Sequence, residues 1–157
     1  VCSSSKAAGI ARLEAAGLPV RVVLRSAHPD DETYSEACYE AVEAEGSEVI
    51  CLCGFLKKLV VPSRWEGRIL NIHPGLLPEF GGPGMYGMHV HRAVLAAGAP
   101  ESGCTIHLVD NQYDHGRILA QARVPVLADD TPEALQQRVY AEEMRLYPEA
   151  LAAFLRA

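Results

Sequence analysis

The sequence has no apolar run long enough to cross a membrane, no excess of positive charge and no regular cysteine motif. A membrane-spanning helix needs about 20 consecutive apolar residues, so we expect no membrane partner. The 14 Lys and Arg residues are outnumbered by 20 Asp and Glu residues, which gives a net charge of −6. Because nucleic-acid phosphates require a basic face, this balance argues against a nucleic-acid partner.

The five cysteines are an odd number in scattered positions, with no Cys-x-x-Cys spacing. Cys51 and Cys53 alternate within the apolar run VICLCG, and alternate residues share one face of a strand. This pattern is typical of small buried thiols in a reducing compartment, and not of disulfides or metal ligands. We therefore predict buried, reduced cysteines, no metal ion and a cytoplasmic location.

Length and hydrophobic patterning predict a single α/β domain. The 157 residues are enough for one domain with a core and too few for two ordinary ones. Strands that alternate with helices predict a mainly parallel sheet with helices on both faces and a site at the carboxyl ends of the strands. The predicted strands are 20–24, 49–53, 68–73, 105–109 and 118–126; the predicted helices are 7–16, 34–42, 55–61, 90–97 and one capped by Thr131 and kinked or split at Pro148.

The stretch SAHPDDET, residues 26–33, is a first candidate site. It resembles the AHPDDE signature of zinc-dependent sugar deacetylases, in which His and Asp bind the metal. A structural interpretation explains the same residues, because Asp30 or Asp31 would cap the following helix and Glu32 would lie in its positive first turn. The glycine pair and second histidine motif of the deacetylases are absent. We favour the structural interpretation and keep the deacetylase as an alternative function.

Two further stretches place polar groups at strand ends. ILNIHPGLLPEFGG, residues 69–82, puts Asn71 and His73 on one side of a strand, before Pro74 ends the hydrogen-bonding ladder. DNQYDHG, residues 110–116, follows the strand CTIHLVD. Its polar residues could simply form a turn. Alternatively, a carboxylate such as Asp114 could meet His73 from a neighbouring strand end and raise the pKa of the imidazole.

Asn71, His73 and Asp114 together would supply the groups for acyl transfer to an amine without a covalent intermediate. The Asn71 amide can donate two hydrogen bonds to a carbonyl oxygen that becomes an oxyanion. Protonated His73 can stabilise the same oxygen or transfer a proton, and Asp114 can orient and charge His73. The sequence has no Gly-x-Ser-x-Gly motif and no cysteine beside a plausible base, so a nucleophilic route has no support.

These residues resemble a known family. NIHPGLLPEFGG, GMYGMHVHRAVLAAG and GCTIHLVDNQYDHGRILAQARVPV are similar to segments of the phosphoribosylglycinamide formyltransferases, within the folate-dependent formyltransferase superfamily. The likeness extends over essentially the whole chain. It implies a Rossmann-like sheet and transfer of a formyl group from 10-formyltetrahydrofolate to the amine of glycinamide ribonucleotide in purine synthesis. The alternative within the superfamily is hydrolysis of 10-formyltetrahydrofolate.

The resemblance also implies roles for individual residues. It matches Asn71, His73 and Asp114 to the catalytic residues of the family, and Glu143 to a glutamate that holds the sugar of the ribonucleotide. The folate-binding residues that it implies are Leu56, Lys57, Lys58, Leu59, Asn71, Asp110 and Asp114. The implied partners are the two small-molecule substrates, with 10-formyltetrahydrofolate as co-substrate and no metal ion.

The sequence departs from the family at three places. His115 and Arg117 stand where the family often has small residues and proline, and an arginine often found before the second helix is not evident near Asp31. The family's first strand and glycine-rich phosphate loop would precede Val1. We therefore expect residues 1–157 to form one formyltransferase domain that is incomplete at its N-terminus. Because such a loop cradles a phosphate with backbone N–H groups, its absence predicts weaker binding of the ribonucleotide.

Overall fold

The computed structural model describes all 157 residues and contains four α-helices and four β-strands. The helices are α1 (Gly9–Ala15), α2 (Asp31–Glu43), α3 (Met88–Ala96) and α4 (Pro132–Phe154), and the strands are β1 (Ile50–Leu52), β2 (Ile69–His73), β3 (Glu101–Leu108) and β4 (Ile118–Pro125). Two short 3₁₀ turns, Arg25–Ala27 and Ser63–Trp65, lie in the connections. None of the helices combines the length and the apolar character that crossing a membrane requires.

The four strands form one sheet in the order β1-β2-β3-β4. β1 and β2 are parallel, whereas the β2–β3 and β3–β4 pairs are antiparallel. The α/β class is therefore confirmed, and the sheet is mixed where the sequence predicts a mainly parallel one. Parallel neighbours need a crossover of about a dozen residues or more, and residues 109–117 between β3 and β4 are too few for it.

Helices cover both faces of the sheet, as the sequence predicts. Consecutive residues of a strand point to opposite faces. In β2, Ile69 packs with Tyr39 of α2, while Leu70 packs with Val94 of α3 and Val139 of α4. Each face of the sheet therefore has its own apolar core, and the polar ends of the strands are left for the cavity described below.

The predicted strand 20–24 is present only as an isolated parallel bridge between Cys2 and Val22. The chain bends and turns immediately after Cys2, so it offers Val22 no longer strand to pair with. Pairing of this segment depends on its neighbour in space and not on its own β-branched residues.

The start of α4 is as predicted, because the Thr131 hydroxyl accepts a hydrogen bond from the Ala134 N–H. The helix is not split at Pro148, since α4 is continuous from Pro132 to Phe154. Leu146 and Ala150, on either side of Pro148, are buried in the core. Their packing outweighs the single backbone hydrogen bond that a proline cannot donate.

Residues 55–61, which the sequence predicts to be helical, form no helix. Side chains of α2 bind the backbone of this segment instead. The Ser35 hydroxyl accepts a hydrogen bond from the Val60 N–H at 2.8 Å, and the Tyr39 hydroxyl donates to the Val60 carbonyl at 3.2 Å. With these groups already paired, the segment remains an irregular loop.

All five cysteines are free, but not all are buried. Cys38 and Cys104 are buried as predicted, whereas Cys51 and Cys53 are exposed, and the prediction is wrong for these two. β1 is an edge strand. Cys51 of this strand and Cys53 just after it line an open, mainly apolar cavity of about 590 Å³ beside α4 instead of packing under a helix.

Candidate active site

A second cavity of about 590 Å³ lies at the carboxyl ends of β1 and β2. The loops that follow these two strands, the loop that joins β3 to β4, and one side of α4 surround it. All of the residues that the resemblance assigns to catalysis or substrate binding line this cavity: Leu56, Lys57, Lys58, Leu59, Asn71, His73, Asp110, Asp114 and Glu143. The structure therefore brings the predicted site residues together in one place.

Asn71 is held by a histidine of the neighbouring strand. Asn71 lies opposite His107 in the antiparallel pairing of β2 and β3, and its Nδ2 is 3.2 Å from His107 Nε2. His107 Nδ1 is 2.9 Å from the Leu108 carbonyl oxygen, so Nδ1 carries the ring proton and Nε2 accepts from Asn71. One Asn71 N–H is thus used within the protein, and one remains for a ligand where the sequence predicts two.

His73 ends β2 with a ring that is only 3% exposed. Its Nε2 lies 2.6 Å from the Phe80 carbonyl oxygen, and its Nδ1 lies 3.5 Å from Asp114 Oδ2. A neutral imidazole has one N–H and can donate to only one of these oxygen atoms, whereas the protonated ring can donate to both. The positions of the two acceptors therefore favour the imidazolium form of His73.

Burial opposes the charge on His73. It lowers the pKa of His73 below the ordinary value, while the Asp114 charge and the Phe80 carbonyl act in the opposite direction. Burial also raises the pKa of Asp114, but the contact with His107, the charge of His73 and the Gly82 N–H together hold that pKa below its ordinary value. Asp114 is therefore ionised at neutral pH beside the His73 ring.

The backbone around Asp114 is adapted to this contact. Asp114 has a φ of 54°, in the left-handed region that costs free energy for a residue with a Cβ. Gly82 has a φ of 96° and donates its N–H to Asp114 Oδ2 at 2.9 Å. A Cβ on Gly81 would overlap the Leu77 side chain and lie 3.0 Å from the Asp114 Cβ. The glycine pair therefore allows the loop after β2 to approach Asp114.

Asn111 joins two walls of the cavity. Its Oδ1 accepts a hydrogen bond from the Val61 N–H at 2.8 Å, and its Nδ2 donates to the Val61 carbonyl at 3.2 Å. These bonds connect the loop of residues 56–59 to the loop of residues 110–114. Asn111 therefore does more than the turn formation that the sequence suggests.

Asp110 and Asp114 have different partners. The Asp110 carboxylate accepts a hydrogen bond from the Gln112 N–H at 2.7 Å and lies 2.9 Å from His115 Nδ1. Asp114 is therefore the carboxylate beside His73, although Asp110 lines the same cavity. On α4, burial raises the pKa of Glu143.

Thr105 anchors the segment that follows His73. It is fully buried and lies opposite His73 in the pairing of β2 and β3. Its hydroxyl donates to the Gly75 carbonyl at 2.7 Å. The same oxygen accepts from the Leu77 N–H at 3.1 Å and from Gln121 Nε2 at 3.0 Å. These bonds fix the turn after the Asn71–His73 strand end.

We expect Thr105→Val to lower the free energy of unfolding by about 1–3 kcal/mol. Valine has a similar shape but leaves the buried Gly75 carbonyl and Leu77 N–H without their partner. Urea unfolding of this variant, with Thr105→Ser as the control that keeps the hydroxyl, measures the effect. Equal unfolding midpoints for the valine variant and the wild type would show that these hydrogen bonds contribute little.

The aspartates of SAHPDDET have structural partners. Asp30 caps α2 by accepting a hydrogen bond from the Thr33 N–H at 2.8 Å. Asp31 forms a 2.7 Å ion pair with Arg25. The structure contains no group of three or more His, Cys, Asp or Glu residues arranged to hold a metal ion. The geometry of this stretch therefore fits the structural interpretation.

The polar residues of the cavity wall include His91 and His107, to which the sequence analysis gives no role, and Asn111, which it treats only as a turn residue. Thr105 and His107 alternate in β3, so their polar side chains share one face of the strand. That alternation is the one sequence signal that points to His107. His91 and Asn111 reach the cavity only because of where α3 and the loop between β3 and β4 lie in the fold. The local sequence does not specify these positions.

Comparison with known proteins identifies the family. Residues 1–151 match the family described as formyl transferase. The chain is 46% identical over 140 residues to the chloroplastic phosphoribosylglycinamide formyltransferase of Arabidopsis thaliana, covering 87% of this chain and 48% of that protein. The chain thus spans about half of the length of this relative.

Solved structures agree with the fold. The phosphoribosylglycinamide formyltransferase of Brucella melitensis is 44% identical with a TM-score of 0.86, and the match covers 97% of this chain and 77% of that one. Glycinamide ribonucleotide transformylase 1 of Symbiobacterium toebii is 38% identical with a TM-score of 0.87. The match covers 94% of this chain and 68% of that one. The Rossmann-like fold implied by the resemblance is confirmed. The chain belongs to the formyl transferase family.

Proposed function

We propose that this chain transfers a formyl group from 10-formyltetrahydrofolate to the amine of glycinamide ribonucleotide in purine synthesis. The observation that carries the proposal is the grouping of Asn71, His73 and Asp114 on the wall of one cavity, in a chain of this family. The Arabidopsis relative and the two solved structures carry names of formyltransferases or transformylases that act on this ribonucleotide.

The reaction proceeds by direct attack of the amine on the formyl carbon. The carbonyl oxygen becomes an oxyanion, which the free N–H of Asn71 and the positive charge of His73 stabilise. The tetrahedral intermediate then re-forms the carbonyl and breaks the bond between the formyl carbon and N10 of the folate. The attacking nitrogen loses one proton and the departing nitrogen gains one, so the reaction balances without a further reactant or a covalent enzyme intermediate.

His73 and Asp114 act as a pair in this mechanism. The Asp114 carboxylate orients the imidazolium and supports its charge against the effect of burial. To donate through Nε2 to a substrate, His73 has to release the Phe80 carbonyl. Gly81 and Gly82 follow Phe80 directly, and their backbone freedom allows that carbonyl to turn away when substrate binds.

The two substrates occupy different walls of the cavity. The folate lies between residues 56–59, which include Lys57 and Lys58, and residues 110–114. Leu56 and Tyr113 of these two loops are 62% and 53% exposed, so both present apolar surface to a flat ring. Glu143 on α4 accepts hydrogen bonds from the ribose hydroxyls of the ribonucleotide.

We also propose that the protein acts in the cytoplasm on these two small molecules and uses no metal ion. Its five cysteines are free thiols, which fits a reducing compartment. The Asn71 N–H and the His73 charge perform the polarisation that a Lewis acid would otherwise supply. Fractionation of the source cells, with detection of the protein by antibody, tests the location.

Absorbance of the tetrahydrofolate product tests the function. We expect 10-formyltetrahydrofolate to be consumed in proportion to added glycinamide ribonucleotide, with an unchanged rate after treatment with a chelator. Consumption at the same rate without the ribonucleotide would identify a hydrolase. Activity that is lost with a chelator and restored by zinc would favour the alternative function, a zinc-dependent deacetylase. No consumption of the folate in either case would reject the proposed function.

A further inference from the structure

A third buried histidine lies in the cavity wall without an assigned role. His91 of α3 is 1% exposed and lines the same cavity as His73. Its Nδ1 is sealed from solvent and has no hydrogen-bond partner. A buried polar atom without a partner is rare and requires an explanation. Because Nδ1 is sealed, a ligand in the cavity that His91 lines can meet the ring only at its other nitrogen, Nε2.

The sealed Nδ1 determines the form of the His91 ring. A proton on Nδ1 would be a buried N–H without an acceptor, so the neutral ring carries its proton on Nε2. Burial, together with the charge of nearby His73, lowers the pKa of His91 and keeps it neutral. His91 therefore offers the cavity one N–H donor from an uncharged ring.

The other two histidines of the cavity wall already have partners within the protein. Both nitrogens of His73 face protein acceptors, Nε2 the Phe80 carbonyl and Nδ1 the Asp114 carboxylate. His107 donates to the Leu108 carbonyl through Nδ1 and accepts from Asn71 at Nε2. Among Asn71 and the three histidines of the cavity wall, this leaves one Asn71 N–H and the His91 Nε2–H without a partner in the protein.

We propose that neutral His91 donates its Nε2–H to the formyl oxygen of the folate as that oxygen becomes an oxyanion, beside the N–H of Asn71. This inference rests on the proposed function. The hydrogen bond strengthens as negative charge develops, so it lowers the barrier and affects the donor-bound ground state less. A neutral imidazole is suited to the role, because it polarises a carbonyl without having to keep a proton against burial.

A pair of variants tests this role. His91→Leu removes the donor and fills the buried site, whereas His91→Gln keeps an N–H close to the position of Nε2. We expect the turnover number of the leucine variant to fall by about 10²- to 10³-fold, with a much smaller change in KM, and the glutamine variant to recover most of it. His89→Leu, at an exposed position of the same helix, is the matched control and should keep wild-type turnover.

Nuclear magnetic resonance of the wild type gives a readout that does not depend on turnover. We expect nitrogen spectra to show His91 as the neutral Nε2–H tautomer. Its Nε2–H proton should move downfield with 10-formyltetrahydrofolate and not with tetrahydrofolate, which lacks the formyl oxygen. An unmoved proton, or a folded His91→Leu protein with wild-type turnover, would overturn the inference. If the wild type transfers no formyl group yet the proton moves, the proposed function fails and the contact stands.

Discussion

Replacing His73 with alanine is expected to lower the turnover number for formyl transfer by about 10²- to 10⁴-fold. The His73 ring lies 3.5 Å from Asp114 Oδ2 at the end of β2, so its imidazolium form places a positive charge beside that carboxylate. Alanine removes that charge and the proton that the ring can transfer. Binding of 10-formyltetrahydrofolate should change much less, because in our proposal the loops at residues 56–59 and 110–114 hold the folate.

The measurement is a steady-state turnover number together with a dissociation constant for 10-formyltetrahydrofolate from calorimetry. His28→Ala is the matched control, since His28 lies beside α2 and does not line the cavity. Because His73 is buried, urea unfolding of each variant must accompany the kinetics, and His73→Gln provides a second variant of closer size. A folded His73→Ala protein with unchanged turnover would remove His73 from the mechanism.

The central residues of the site could be predicted because their signals are local. Asn71 and His73 are two positions apart on one strand, so the period of a β-strand places them on the same side. Pro74 marks the strand end, where a site of this fold class lies. Asp114 follows the next strand, β3, whose antiparallel pairing puts its end opposite Leu70. Only the course of the following loop, with its left-handed backbone at Asp114, brings the carboxylate back to His73.

The residues that were missed depend on contacts between distant segments. His107 binds Asn71 because the register of β2 and β3 places them opposite each other, and register follows from the paired strands and not from either strand alone. His91 reaches the cavity because α3 packs against α4 and shares a core cluster with Leu70 of β2. Local sequence identifies each of these positions as an ordinary buried histidine.

The wrong predictions about the fold also come from contacts between distant segments. Cys51 and Cys53 lie in an apolar run that indicates a buried strand, yet β1 is the sheet edge and its thiols are exposed. Residues 55–61 have a helical pattern, but the side chains of α2 and Asn111 take their backbone hydrogen bonds. In both cases tertiary contacts override the local preference.

Replacing Asp114 with asparagine is expected to lower turnover by about 10²-fold or more and to shift its dependence on pH. Asparagine keeps the shape of the side chain and can still accept the Gly82 N–H through its carbonyl oxygen. It is also one of the residues that tolerate the left-handed φ of position 114. The substitution therefore removes the negative charge beside His73 with little change in the backbone.

The direction of the pH shift follows from the two pKa values. Burial lowers the pKa of His73, and the Asp114 charge opposes that effect, so the pKa of His73 should fall further in Asp114→Asn. In the proposed mechanism the active form of His73 is the imidazolium, which is lost as pH rises through its pKa. The alkaline loss of activity should therefore begin at lower pH in the variant. The acid loss that comes from protonation of Asp114, whose pKa lies below its ordinary value, should disappear.

Asp110→Asn is the matched control, since Asp110 lines the same cavity but binds His115 and the Gln112 N–H instead of His73. It should leave the titration of His73 in place and have a much smaller effect on turnover. The measurements are pH–rate profiles of both variants and a titration of His73 by nuclear magnetic resonance. If Asp110→Asn moves the His73 titration and Asp114→Asn does not, the carboxylate that supports the imidazolium is Asp110. The roles of Asn71 and His73 would survive that result, because both reach the cavity through the geometry of β2 and not through either aspartate.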